Sequence, residues 1–226
     1  MPLNFPGLFP PSKETYINFN WVDIASATGF ISYDVYKTLD DGGVNRHLVD
    51  STKIVGLRSI SGHSGTTSHA MEAHGFANGV FAKIFDYDYD LSDYKLPVVI
   101  RGDVFVNFSF YLGKPAGNTL TYFIARVRKW DGSTETEIAS TTTDTITHTA
   151  TQAAAKHAIK ITVTQTSFKV GENLRITIEG WAKTTSGTGI LGVAGNPADT
   201  EDNDGSYAIS AGNTRINILI PYKLNV

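Results

Sequence analysis

Hydrophobic and polar residues alternate along much of this 226-residue chain. In Val104–Leu112 every second side chain is apolar, which is the pattern of a half-buried β-strand. The same period recurs in later runs, and weaker forms of it occur earlier in the chain. The later runs are Phe123–Val127, Ile159–Val163, Leu174–Ile178 and Ile216–Tyr222, and the earlier candidates are Tyr16–Val22, Phe30–Tyr36, Lys53–Ile60 and Val80–Phe85.

Turn-forming dipeptides separate these runs. Asp131-Gly132 favours a tight hairpin, and Gly171-Glu172 marks a further reversal. Helical pattern is scarce, although the alanine run in Gln152–Lys156 favours one or two helical turns. Because proline cannot donate a hydrogen bond, Pro221 predicts that the last strand lies at an edge or ends there. About ten strands at this spacing predict an all-β fold, an antiparallel two-sheet β-sandwich with a jelly roll as the first choice.

The chain divides into an arm and one domain. Residues 1–14 contain four prolines, which favour an extended arm over a helix or a central strand. We expect this arm to dock on its own domain or on a neighbouring subunit, and residues 15–226 to form a single β-sandwich domain. The Gly-rich stretch 56–79 is predicted as a loop or an insertion. The apolar residues of the assembly arm are Leu3, Phe5, Leu8 and Phe9.

Composition narrows the function classes. The sequence contains 19 basic and 22 acidic residues, and basic residues are not concentrated in a tail, so direct contact with nucleic acid is not expected. Cysteine is absent, which excludes thiol catalysis and disulfides. We also expect no contact with a membrane, because no stretch approaches the ~18 apolar residues that a spanning helix requires, and no secretory signal is recognisable.

Two residue groups are weak metal candidates, and no cofactor is predicted. His63, His69 and His74 bring imidazoles together in one Gly/Ser-rich stretch, but their spacing matches no zinc motif, and solvated loop histidines are the favoured interpretation. Asp86, Asp88 and Asp90 would share one face of a strand, ~7 Å apart. They could hold calcium, but a charged edge that resists aggregation is favoured.

Four aromatic residues are candidates for a binding surface. Trp130, Trp181, Tyr87 and Tyr89 could stack on a sugar or contact a protein. Packing inside the sandwich is the favoured alternative, because large aromatic side chains are mostly buried.

Local motifs for catalysis are missing. The segment 62–66 (Gly-His-Ser-Gly-Thr) lacks the second glycine of a nucleophile elbow, and no phosphate-binding loop occurs. A glycosidase pair of carboxylates would come from distant strands and leave no local pattern. The sequence therefore predicts that the chain is not an enzyme, and a hydrolase is the third-ranked class.

The second half of the chain resembles a family of viral proteins. The hairpin Ile124–Gly132, the run Phe168–Glu179 and the final strand Ile216–Leu224 resemble segments of jelly-roll virion proteins from phages and archaeal viruses. The resemblance implies a repeated virion component, such as a capsid, decoration, connector or tail protein, that binds copies of itself and other virion proteins. It also implies synthesis in the host cytoplasm and no catalytic residues. The alternative is a carbohydrate- or receptor-binding sandwich, such as a fibre head domain.

Overall fold

Twelve β-strands make up almost all of the described part of the chain. The computed structural model describes residues 29–40, 43–50, 71–77, 79–91, 97–113, 118–149, 152–194 and 216–223. No helix occurs in these residues, and none of them forms a helix long and apolar enough to cross a membrane. The strands are β1 (Gly29–Asp40), β2 (Gly43–Asp50), β3 (Met71–Phe76), β4 (Ala82–Leu91), β5 (Val98–Gly113), β6 (Thr119–Trp130), β7 (Glu135–Thr142), β8 (Ile146–His148), β9 (Gln152–Phe168), β10 (Asn173–Thr184), β11 (Gly189–Ala194) and β12 (Asn217–Lys223).

Eight of these strands form two packed antiparallel sheets. The first sheet has the order β1-β12-β5-β9, and the second has the order β4-β10-β6-β7. The pairing is nested, since β1 pairs with β12, β4 with β10, β5 with β9 and β6 with β7. This order is that of a jelly roll, a double-sheet fold made of two Greek keys. The predicted all-β sandwich is therefore confirmed, and the nested pairing makes it a jelly roll.

The remaining strands extend this eight-stranded frame. β2 continues from β1 as a hairpin and meets β4 over a short parallel pairing, where His47 lies opposite Asp90. β11 lies beside the end of β5 and pairs with β3, and β8 pairs with β6. β3 falls within 56–79, which was predicted as a loop or an insertion. Sequence pattern missed it because the edge of β11, and not an apolar periodicity of its own, provides the pairing.

The core lies between the two sheets and follows the predicted alternation. Phe108 and Phe110 of β5 face Phe123 of β6, with ring centroids 5.0 and 5.1 Å apart. Ile161 of β9 and Ile176 of β10 are fully buried in the same cluster. Since each strand contributes every second residue to this interior, the intervening residues are left on the two outer faces.

The alanine run does not form a helix. Residues 152–156 begin the 17-residue strand β9, and Ala153 lies opposite Leu112 of β5. The prediction of helical turns was wrong because the free side of β5 offers a full ladder of hydrogen bonds. This ladder outweighs the helix propensity of alanine, although that propensity is the highest of any residue.

Pro221 lies in an internal strand and not at an edge. β12 runs between β1 and β5, and its pairing with β5 is irregular between Leu219 and Tyr222. Pro221 packs against Gly102, which has a φ of 121° and also sits at an irregularity in the β5–β9 pairing. The missing N–H thus falls at a bulge, which is the other place where a sheet accepts proline.

The predicted hairpin at Asp131-Gly132 is confirmed. Gly132 has a φ of 94°, and Asp131 Oδ1 accepts hydrogen bonds from the backbone N–H groups of Ser133 (2.9 Å) and Thr134 (2.6 Å). The arm (1–14, with Leu3, Phe5, Leu8 and Phe9), the candidate strands Tyr16–Val22 and Lys53–Ile60, and His63 and His69 lie outside the described residues.

Candidate binding face

The outer face of the second sheet carries the three aspartates that the sequence analysis proposed as possible metal ligands. On β4, Asp86, Asp88 and Asp90 point outward, and the tyrosines between them point inward. Tyr87 is 5% exposed and Tyr89 is 3% exposed. Both tyrosines therefore belong to the core, and their assignment to a possible binding surface was wrong. Strict alternation along β4 places the aspartates and the tyrosines on opposite faces.

Arg175 of β10 binds the last of these aspartates at two points. Its Nε and Nη2 donate to the two carboxylate oxygens of Asp90 at 2.6 and 2.8 Å. Nη1 also donates to Glu135 at 3.2 Å, and the guanidinium lies over the Trp130 ring at 4.9 Å. Hydrogen bonding to Asp90 raises the pKa of Arg175. Trp130 is consequently packed against a paired arginine, which limits the ring face that a ligand can reach.

Asp88 lies in the middle of the same face. It accepts a hydrogen bond from Thr177 Oγ1 at 2.6 Å and lies 3.4 Å from Arg175 and 3.8 Å from Arg128. Partial burial raises the pKa of Asp88, although the hydrogen bond from Thr177 and the charge of Arg175 act in the opposite direction. Asp86 pairs with Lys83 of the same strand.

The most buried carboxylate on this face belongs to Glu179 of β10. Its side chain is 4% exposed, and it accepts hydrogen bonds from Arg126 Nε at 2.7 Å and from Trp181 Nε1 at 2.9 Å. Burial alone would raise its pKa, but these two donors lower the pKa of Glu179 below its ordinary value. Arg126 also bonds Glu137 of β7 at 2.6 Å, so one guanidinium connects three strands.

These contacts define an ion-pair network in which the candidate calcium ligands already have partners within the protein. Each of the three aspartates is held by a cation or a hydroxyl from the protein itself. His74, the only candidate histidine among the described residues, forms a hydrogen bond with Tyr87 Oη at 2.6 Å. Groups of three or more His, Asp or Glu side chains arranged to hold a metal do not occur in the described part of the chain. The network consists of Lys83, Asp86, Asp88, Asp90, Arg126, Arg128, Glu135, Glu137, Arg175 and Glu179.

Beyond the network, the same face ends in an aromatic strip, formed by Phe81, Tyr122, Trp181 and Lys183. The rings of Tyr122 and Trp181 stack with centroids 5.7 Å apart, and Phe81 meets Tyr122 edge-on at 5.0 Å. Lys183 Nζ lies 4.7 Å from the centre of the Phe81 ring. All four side chains are half-buried. Sequence reasoning found Trp181 alone, because Phe81 and Tyr122 come from other segments of the chain. Lys183 follows Trp181 by two residues on β10, but this pair matches no local motif.

Two histidines that no sequence pattern singled out, His148 and His157, lie toward the interior. His148 is buried and its Nε2 is 2.8 Å from Thr121 Oγ1. His157 is surrounded by the rings of Phe108, Phe110 and Phe123, with centroids 5.9, 5.2 and 5.5 Å away. Burial lowers the pKa of His157, since the aromatic surroundings disfavour the charged imidazolium.

Acid should destabilise the fold in two stages. Because the folded-state pKa of His157 lies below its ordinary value of 6.5, the unfolded chain binds this proton first, and stability falls as the pH drops below about 6.5. Glu179 and Glu137 have lowered pKa values, so their contributions are lost at lower pH, below their ordinary value of 4.5. Asp88, with a raised pKa, partly offsets this second loss.

Urea unfolding at a series of pH values checks this expectation. His157→Phe should flatten the upper stage, which begins below about pH 6.5, while leaving the lower stage in place. If the variant keeps the upper slope unchanged, His157 is not the group responsible.

The strand arrangement is similar to parts of solved structures of hydrolases and of a virus. No family model matches the sequence, and no curated protein matches it. The chain is similar to a CocE/NonD family hydrolase from Staphylococcus aureus (11% identity, TM-score 0.44, 87% of this chain and 37% of that one). It is also similar to an α-amino acid ester hydrolase (7%, 0.42, 61% and 25%) and to a chain of infectious bursal disease virus, Gx strain (13%, 0.32, 70% and 34%). The chain thus spans less than two fifths of the length of each.

The prediction that the chain is not an enzyme is contradicted by this comparison, since hydrolases are among the solved structures with similar strands. The prediction rested on missing local motifs. The absence of a local motif is weak evidence against catalysis in a β-sandwich, because catalytic side chains can come from separate strands. At these identities and TM-scores, neither a catalytic residue nor an activity is transferred to this chain.

Proposed function

We propose that the chain is a structural subunit of a virus particle, a capsid, decoration, connector or tail component that docks on copies of itself and on other virion proteins. It would be made in the host cytoplasm and act in the virion, without a cofactor. The fold supports this role, because jelly rolls are a common architecture of viral capsid domains. The observation that carries the proposal is an apolar patch on the outer face of the first sheet.

The Phe30 patch consists of Phe30, Phe105 and Leu219. Phe30 is 48% exposed, and its ring lies 6.3 Å from that of Phe105. Leu219 of β12 lies directly opposite Phe105 of β5, so the three side chains come from adjacent strands. A cluster of apolar side chains from adjacent strands on an outer sheet face is costly in water, which supports a role for this patch as a contact surface.

Polar residues border this patch on the β9 side. Asp103 accepts a hydrogen bond from Thr162 Oγ1 at 2.7 Å and pairs with Lys160 at 3.4 Å. An apolar centre with a polar rim is the usual anatomy of a protein interface. Burying one phenylalanine contributes about 1.5–3 kcal/mol to the free energy of association. A stable interface buries ~1,200–2,000 Å². The patch can therefore form the centre of such an interface, but the contact must also include the polar rim.

The two outer faces differ in a way that favours the first for self-association. On the second sheet, the network of arginines and carboxylates is satisfied internally, and stripping water from it would cost free energy. The Phe30 patch has no such cost. A second copy of the chain is therefore the expected occupant of the first face.

Replacing Phe30 with aspartate should weaken self-association. Light scattering and negative-stain electron microscopy across a concentration series should show smaller species for Phe30→Asp than for the wild-type chain. Val170→Asp is the matched control, because Val170 is 61% exposed but lies in the turn between β9 and β10. Circular dichroism checks that both variants fold. Equal assembly of the two variants would refute a role for the patch.

A further inference from the structure

We infer that the aromatic strip of Phe81, Tyr122, Trp181 and Lys183 is a binding site for a saccharide that carries a carboxylate. The site lies on the second sheet, opposite the Phe30 patch, and its occupancy does not depend on the proposed assembly role. Three observations carry the inference: an unmatched cation, a ring fixed in orientation, and an available hydroxyl.

Among the described residues, Lys183 is the cation of this face that has no carboxylate partner. Lys83 pairs with Asp86, Arg126 with Glu179, and Arg175 with Asp90. Within the described part of the chain, no carboxylate lies within 4.0 Å of Lys183 Nζ, which lies instead over the Phe81 ring. An ammonium group placed beside aromatic rings is a ready donor for an anionic ligand.

Trp181 supplies the aromatic ring that is fixed in orientation. Its indole N–H is held by Glu179 at 2.9 Å, and its ring stacks on Tyr122 with an interplanar angle of 9°. A ring that is already fixed loses little conformational freedom on binding, which favours affinity. Pyranose rings present apolar C–H faces that pack on such aromatic surfaces, with the polar groups left at the rim.

Tyr122 supplies the available hydroxyl. Burial raises the pKa of Tyr122, with a smaller contribution from the charge of Glu179, so the phenol stays protonated at neutral pH. Its hydroxyl has no hydrogen-bond partner among the described residues and can donate to a sugar oxygen.

The charge of the neighbouring network argues for one carboxylate and against a polyanion. Among the described residues, carboxylates outnumber lysines and arginines on this face. The carboxylates are Asp86, Asp88, Asp90, Glu135, Glu137 and Glu179. A nucleic acid laid along this face would meet repulsion beyond the strip. A saccharide with a single acidic group can place it at Lys183 and keep its neutral rings on Trp181.

Titration of the full chain with defined saccharides tests this inference. The probes are sialyllactose against lactose, and a glucuronic-acid disaccharide against its glucose counterpart, followed by calorimetry and by the Trp181 indole resonance in NMR. The two acidic probes distinguish a sialic acid from a uronic acid. We expect at least one acidic sugar to bind about tenfold more tightly than its neutral counterpart, as a charge-assisted hydrogen bond implies.

Variants assign the effect to the strip. Lys183→Gln should remove the preference for the acidic probe, and Trp181→Leu should abolish binding of both probes. Lys169→Gln, in the turn between β9 and β10, and Trp130→Leu, at the far end of the same face, are the matched controls and should bind as the wild type does. Light scattering on every variant separates this result from any change in assembly.

Three results would overturn the inference. One is equal affinity for acidic and neutral probes, and another is acidic binding that survives both strip variants. The third is no binding by any probe at millimolar concentration, in which case a protein partner would be the better explanation of the strip.

Discussion

Replacing Glu179 with alanine is expected to lower the free energy of unfolding by about 2–4 kcal/mol, because it leaves Arg126 and Trp181 without their shared acceptor. This loss of stability is smaller than the largest losses seen when a buried ion pair is broken, because the Arg126 side chain is 22% exposed and water can partly replace the lost carboxylate. Urea unfolding followed by circular dichroism measures the difference.

Glu137→Ala is the matched control for this prediction. Glu137 bonds the same guanidinium at 2.6 Å, but its side chain is 43% exposed, so its loss should cost no more than about 1 kcal/mol. Glu179→Gln should fall between the two, since the amide oxygen can still accept from Trp181. If the two alanine variants lose the same stability, burial is not what gives Glu179 its importance.

The second large effect is expected in the core. Phe123→Ala should destabilise the fold by about 3–5 kcal/mol, because the side chain is fully buried and the cavity cannot collapse among the rigid strands. Its ring contacts Phe108, Phe110 and His157, which come from two strands of the opposite sheet. The change therefore removes contacts that hold the two sheets together.

Phe105→Ala serves as the comparison for Phe123→Ala. Phe105 is in β5, beside the core residues Phe108 and Phe110, but it lies on the outer face and is half-buried. Thermal and urea unfolding should show a loss of about 1 kcal/mol or less for Phe105→Ala. A similar loss for both variants would mean that the sheets do not pack through Phe123 as described.

Alternation along single strands was sufficient to predict much of this fold. The buried positions of β5, β6, β9, β10 and β12 follow from a period of two, which depends only on local backbone geometry. The same rule, applied to β4, would have placed Tyr87 and Tyr89 inside once Asp86 was taken as exposed. That signal was present in the sequence.

Pairing between distant segments could not be predicted in the same way. Arg175 and Asp90 are 85 residues apart, and their contact depends on β10 lying beside β4. Residues 152–156 show the same limit, because only the neighbouring edge of β5 makes them a strand. The aromatic strip depends on three segments that meet after folding, which is why only Trp181 was proposed from the sequence.

The assembly state of the wild-type chain tests the central proposal most directly. Mass photometry and electron microscopy of the purified protein, over a range of concentrations and at neutral pH, should show closed rings or shells with a defined copy number. A chain that stays monomeric at every concentration, alone and with the other proteins of its particle, would contradict the proposal that it is a virion subunit.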